Sequence, residues 1–228
     1  MPFSGITSTA VVTETSLEGL YVGTSGWSYP SWRPGFYPAG TRPEDFLGYY
    51  SARFSTVELN TTGYRLPREE LFERWAERVP PGFRFAPKMN TYRNLDVETF
   101  AERVALLGDS LGPIRAVVGS VRDEGLLTLV LGSLDPSLRI AFDFRHDSWD
   151  GVEADLPANA VRVGLLEGSA SFRYIRFRDP PYGEADLREI ADRLRPVFDD
   201  GIEIYCYFRH EDEPDATRYA ARLLELLT

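Results

Sequence analysis

Eight short apolar runs, separated for the most part by segments of helical periodicity, constrain this chain more than any other feature. They are residues 20–26 (LYVGTSG), 56–60 (TVELN), 83–88 (FRFAPK), 114–120 (IRAVVGS), 139–145 (RIAFDFR), 160–166 (AVRVGLL), 172–177 (FRYIRF) and 202–208 (IEIYCYF). Most are too short and too rich in β-branched or aromatic side chains for helices, so they read as strands. Between them, residues 43–54 open with a proline and two acids suited to a first helical turn. Residues 68–79 carry apolar side chains at i, i+3, i+4 spacing, and residues 96–108 run from an Asp cap to a Gly stop. Helical patterns over 184–198 and 213–227 complete the set. Strands alternating with helices in this number predict an α/β chain, a TIM-type (β/α) barrel, with a mixed open sheet as the alternative.

The alternation fails in one sector. Only EGSAS (167–171) joins the sixth and seventh strands, whereas a helical crossover needs about a dozen residues. The stretch 147–160 after the fifth strand holds Gly151 and Pro157 and is a poor helix. The barrel is therefore expected to be irregular between its fifth and seventh strands. Residues 1–19 are polar, with neither a basic start nor a long apolar core. They read as a partly disordered leader to a single domain over 20–228 in a cytoplasmic protein, with no membrane partner. No apolar run approaches the roughly 18 residues of a membrane span.

Charge narrows the partners. The net charge of −10 opposes tight, unspecific binding to nucleic acid or anionic lipid. An extended nucleic acid is accordingly an improbable partner and a small anion in a local basic cleft a better one. One cysteine, Cys206, forbids an internal disulfide and sits in an apolar setting that suits a core residue. Neither a glycine-rich phosphate loop nor a G-x-S-x-G elbow is present, and no cofactor is expected.

Strand alternation puts polar side chains where a barrel keeps its chemistry, at the carboxyl ends of the strands. Glu58 and Asn60 share one face of the second strand, Arg84, Ala86 and Lys88 one face of the third, and Asp143 and Arg145 one face of the fifth. Arg176 joins from the seventh strand, and Arg209 or His210 from the eighth. Glu58 and Asp143 are the candidate acid/base pair; equally, they can be counter-ions for a charged interior. Lys88 is the single lysine among 25 basic residues. In a chain whose other cations are all arginine, a salt bridge gives little reason to keep a lysine, so Lys88 reads as an anion anchor or a base. Arg145 can hold a phosphate or carboxylate bidentately or pair with Asp143. His146, turned away from that pair by alternation, suits a loop anchor as well as a ligand contact. A metal held by both histidines, Asp143 and Glu58 has no supporting spacing, and no metal is expected.

The blocks GTSGWSYPSW, FYPAG, VELNTTGYRLP, RWAERVPPGFRFAPK, FDFRHDSW and the final YCYF strand resemble, in order, the signature blocks of the YecE-like family, the domain of unknown function numbered 72. That resemblance covers about residues 20–228; it implies a TIM barrel and no established activity. The chain departs from the family pattern at Gly63, where an aromatic is usual, and at Asp143, where glutamate is usual. It departs again in VVGSVRDEG after the fourth strand, RFRDPPYG after the seventh and FRH after the eighth. In the first block, Ser25, Trp27 and Tyr29 are placed to line the barrel mouth. Trp27, Tyr64 and Trp149 suit stacking on a sugar or base, and Trp27 and Trp32 suit capping the core equally well.

Two functions follow as expectations. One is a hydrolase or lyase acting by carboxylate acid/base catalysis on a small anionic, sugar-like or nucleotide-like substrate held by Lys88, Arg145 and Arg176. The other is a barrel that binds a nucleotide or nucleic acid without turnover.

Overall fold

A computed structural model describes residues 18–91, 96–209 and 213–228. Its strands are β1 (Leu20–Thr24), β2 (Thr56–Leu59), β3 (Arg84–Asn90), β4 (Ile114–Val118), β5 (Ile140–Phe144), β6 (Ala160–Arg162), β7 (Phe172–Phe177) and β8 (Glu203–Phe208). All neighbours are parallel, in the order β6-β5-β4-β3-β2-β1-β8-β7. Helices α1 (Phe46–Ser51), α2 (Glu69–Glu77), α3 (Val97–Ala105), α4 (Glu124–Ser133), α5 (Glu184–Asp199) and α6 (Asp215–Leu227) lie between or after them. The molecule is the expected TIM-type barrel, closed except between β6 and β7.

Period-2 alternation sorts each strand into two faces. Outward residues such as Val22, Val57, Phe85, Ile114, Phe142, Ile175 and Cys206 pack with the helices in one core, while Ala86, Ala141, Val161, Phe172, Tyr174, Tyr205 and Tyr207 pack in a second, inside the barrel. β3 changes partner midway: Arg84–Pro87 pair with β2 and Lys88–Asn90 with β4.

The expected Asp cap is present: the Asp96 carboxylate accepts from Thr99 N–H at 2.9 Å at the start of α3. Helix α4 is an addition to the sequence reading. Its apolar residues cluster as Leu126–Leu127 and Leu129–Leu131 and show no clear stripe, and the start is set instead by Asp123, which accepts from Gly125 N–H and Leu126 N–H. The sixth strand stops four residues earlier than expected because the chain turns at Gly164, whose φ of +96° favours glycine.

The thin sector is real, and arginines brace it. No helix follows β5 or β6; two short 3₁₀ turns, Asp147–Trp149 and Val152–Ala154, stand there instead. The Arg162 guanidinium donates to Asp150 at 2.7 Å and to Glu153 and the Trp149 carbonyl at 3.2 Å. Arg173, 4% exposed, donates to the carbonyls of Leu166, Gly168 and Ala170. These bonds satisfy the backbone of a loop that has no helix to do so. Across the seam, Gly164 N–H bonds the Tyr174 carbonyl at 2.9 Å. Among the described residues, no helix is long and apolar enough to cross a membrane. The polar leader read over 1–19 lies, up to residue 17, outside the described residues.

Candidate functional site

Glu58 and Asp143 emerge on the inward faces of β2 and β5, 0% and 3% exposed, and a buried carboxylate must be paired. Arg115, the inward residue of β4, lies between them. Its Nε is 3.1 Å from Glu58 Oε1, its Nη1 2.9 Å from Asp143 Oδ2, and its Nη2 donates to Asn60 Oδ1 at 3.0 Å. Tyr174 and Arg176, two residues apart on β7, both reach Glu58: the phenol donates at 2.7 Å and Arg176 Nε approaches to 2.9 Å. Arg178, the next residue on that face, donates to both Asp143 oxygens at 2.8 Å, and Arg145 donates to Oδ2 at 2.8 Å.

Among the described residues, four guanidiniums thus face two carboxylates, an excess of two positive charges. Burial pushes the Glu58 carboxyl up, but Arg115 and Arg176 outweigh it and hold its pKa below the usual range. Asp143 behaves likewise, lowered by Arg115, Arg178 and Arg145 against the effect of burial. Both are anions at neutral pH, able to accept a proton and poorly suited to donate one. The surplus charge tells on Arg145, whose pKa is lowered by burial and by Arg178, Arg115 and Arg176, against the pull of Asp143. Burial and Glu58 raise the Tyr174 phenol well above its ordinary value.

Lys88 lies on the inward face of β3, beside Arg115 in register. It is 8% exposed, yet among the described residues its ammonium meets no carboxylate; its neighbour is the Tyr64 ring, 4.3 Å from Nζ to centroid. The turn Asn60–Gly63 fixes this stretch: the Thr62 hydroxyl accepts from Lys88 N–H at 3.0 Å and lies 2.8 Å from the Lys88 carbonyl. Gly63 has a steric reason, since a Cβ there would come within 2.7 Å of Lys88 Cδ and 2.8 Å of Cγ. Glycine at this position makes room for the lysine stem.

The remaining candidates divide. Ser25 is 1% exposed, its N–H bonding the Phe208 carbonyl and its own carbonyl accepting from Asn60 Nδ2 at 3.0 Å and the Tyr29 hydroxyl at 3.1 Å. Burial first, then Glu58, pushes the Tyr29 phenol up to about 12. Trp27 and Tyr29, with Trp75 of α2, line a lateral cavity of about 480 Å³ that reaches Glu58 and Asn60. Tyr64 is 80% exposed at the mouth. His146 stands apart, exposed, its Nδ1 accepting from Ser148 N–H at 3.1 Å and capping the turn that follows. Trp149 is a core ring, 0% exposed, its indole N–H on the Ser120 carbonyl, and Trp32 is also fully buried. Cys206 is buried, and burial pushes its thiol far up. His210 lies outside the described residues. Among the described residues no three His, Cys, Asp or Glu side chains converge as metal ligands.

Sequence reasoning missed Arg115, Tyr174 and Arg178. Each carried a signal: Arg115 interrupts an apolar strand, and Tyr174 and Arg178 share the alternation face of Arg176. A second cavity, of about 640 Å³, lies at the opposite end of the barrel around Tyr21, Arg84, Arg139, Glu203 and Tyr205. There Arg139 pairs with Glu203 at 2.7 Å.

Comparison with known proteins agrees with this architecture. Two crystal structures of a DUF72 family protein of Enterococcus faecalis V583 superpose with TM-scores of 0.74 and 0.75, covering 91% of this chain and 97% and 95% of theirs. At 16% and 17% identity, they bear on the fold alone. The UPF0759 protein YecE of Escherichia coli, strains K12 and O157:H7, is 40% identical over 70 residues, 30% of this chain and 23% of each relative. Matching over residues 21–228 the family described as "Protein of unknown function DUF72", the chain belongs to that family.

Proposed function

We propose that the barrel mouth binds a compact anionic small molecule and that the protein acts on it as a hydrolase or lyase. The observation that carries this reading is the charge imbalance: among the described residues, four arginines and Lys88 surround two carboxylates, in a chain whose net charge is −10. Cations gathered in an acidic protein suit one small anion better than a long polyanion, which the rest of the surface repels. Arg145 and Arg178, the more exposed pair, supply donors to the ligand. Glu58 and Asp143 hold the guanidiniums in place, and as ionised groups they serve as proton acceptors.

The non-catalytic reading, a nucleotide-binding barrel, is favoured by the cavity of Trp27, Tyr29 and Trp75 beside Asn60, which suits a planar ring. Thermal unfolding in inorganic phosphate, citrate, nucleotides and an oligonucleotide separates the two. A ligand at a hundredfold its Kd adds about 2.7 kcal/mol, worth roughly 5–10 °C for a domain of this size. Phosphate and citrate are expected to stabilise the wild type and to lose that effect in an Arg145→Met/Arg178→Met variant. Stabilisation by the oligonucleotide alone favours the binding reading, and equal shifts in wild type and variant refute the site.

A further inference from the structure

We propose that Lys88 forms an iminium with a carbonyl compound that carries a phosphate or carboxylate group. The proposal rests on the anion-binding reading above and gives the lysine its chemical role within it.

The chain uses arginine at 24 of its 25 basic positions and lysine only here. Where a basic residue pairs with a carboxylate or binds an anion, a guanidinium serves at least as well, with more donors in a fixed fork. An amine alone can become a neutral nucleophile, because a guanidinium stays protonated in proteins.

Three observations place the amine for that work. First, it is not held in a salt bridge: Glu58 and Asp143 are taken up by Arg115, Arg145, Arg176 and Arg178, and among the described residues no carboxylate meets Lys88. Second, its stem is buried and located, with Gly63 against it and Thr62 bonded to its backbone, while the neighbour in register is another cation, Arg115. Third, hydrogen-bonding capacity remains on the same strand face. Two residues on, the buried Asn90 Oδ1 has no hydrogen-bond partner among the described residues, free to accept from a ligand hydroxyl.

The ammonium releases a proton to solvent, and the neutral nitrogen attacks the carbonyl carbon. An N–C bond forms, and the C=O π pair moves to oxygen, which takes a proton to give the carbinolamine. The C–O bond then breaks with loss of water, so that the ammonium and carbonyl become an iminium and H₂O. The iminium draws electrons from the bond next to it, the chemistry of a lyase, and the arginines hold the anionic end of the same molecule.

Lys88 is the only side-chain amine in the chain, which makes trapping decisive. The full-length protein is incubated with dihydroxyacetone phosphate or glyoxylate, with neutral dihydroxyacetone as control, reduced with sodium borohydride and mapped by peptide mass. We expect a single reduced adduct on Lys88 from the anionic carbonyls, about tenfold above the neutral control, the gain of one anion contact of about 1.4 kcal/mol. Inorganic phosphate should suppress it, and Lys88→Arg should abolish it. No adduct on Lys88, or equal labelling by the neutral ketone, overturns the proposal even where the wild type keeps its phosphate shift. Loss of that shift alone, with labelling intact, overturns the anion-binding reading instead. The wild-type measurement decides whether or not the variant folds.

Discussion

Arg115 is the residue on which most of the site depends, because it is the one side chain that touches both carboxylates and Asn60. Replacing it with methionine leaves two buried anions short of a partner, and unfolding in denaturant should show a loss of about 3–5 kcal/mol, the cost of breaking a buried pair. Arg178→Met, at a partly exposed position, should cost much less, since Asp143 keeps Arg115 and Arg145. Gly63→Ala forces a methyl against the Lys88 stem and should destabilise by about 1–3 kcal/mol through overpacking. It should also weaken labelling of Lys88, a readout that simple loss of stability does not supply. Trp149 shows where residue-level reading stops. Its indole suits stacking on a sugar, but it is spent inside the protein against Phe144, ring centroids 4.5 Å apart.

At the scale of elements, the seam between β6 and β7 sets the barrel apart from a regular one. Elsewhere each strand has ladder partners on both sides, whereas these two are joined by the Gly164–Tyr174 bond and by arginine-braced loops. Local opening should begin here, since few backbone bonds must break. Hydrogen exchange followed by mass spectrometry should find the amides of Ala160–Gly164 exchanging faster than those of β1 and β8. Equal protection would show that the arginines replace the missing helices fully. The sector was legible in advance, because glycine, proline and a five-residue connection cannot make a crossover helix. Helix α4 was not, because its apolar residues run together in Leu126–Leu127 and Leu129–Leu131 and leave no amphipathic stripe from which a helix is read.

For the whole molecule, the carboxylate network predicts the pH dependence of stability. Glu58 and Asp143 titrate lower in the folded chain than their ordinary values of 4.5 and 3.8. The unfolded chain therefore takes up protons first on acidification. The stability they confer is complete above those ordinary values and is lost as pH falls through the folded ones. The melting temperature should fall steeply below about pH 4.5. Glu58→Gln, if it folds, should flatten that fall; an unchanged acid limb in this variant would show that other carboxylates govern it.

The sequence by itself determined the barrel, its thin sector and the strand ends at which Glu58, Lys88, Asp143, Arg145 and Arg176 gather. Strand alternation and connection length are local properties, written along the chain. Only the tertiary structure decided which charges meet. Arg115 and Glu58 are 57 positions apart, and Arg178 and Asp143 are 35 apart; each was brought within reach by the order and shear of parallel strands, which no local pattern encodes. Among the described residues, the same closure left the single lysine without a carboxylate. Electrostatic pairing depends on distance in space, and the two available anions had already been taken by arginines.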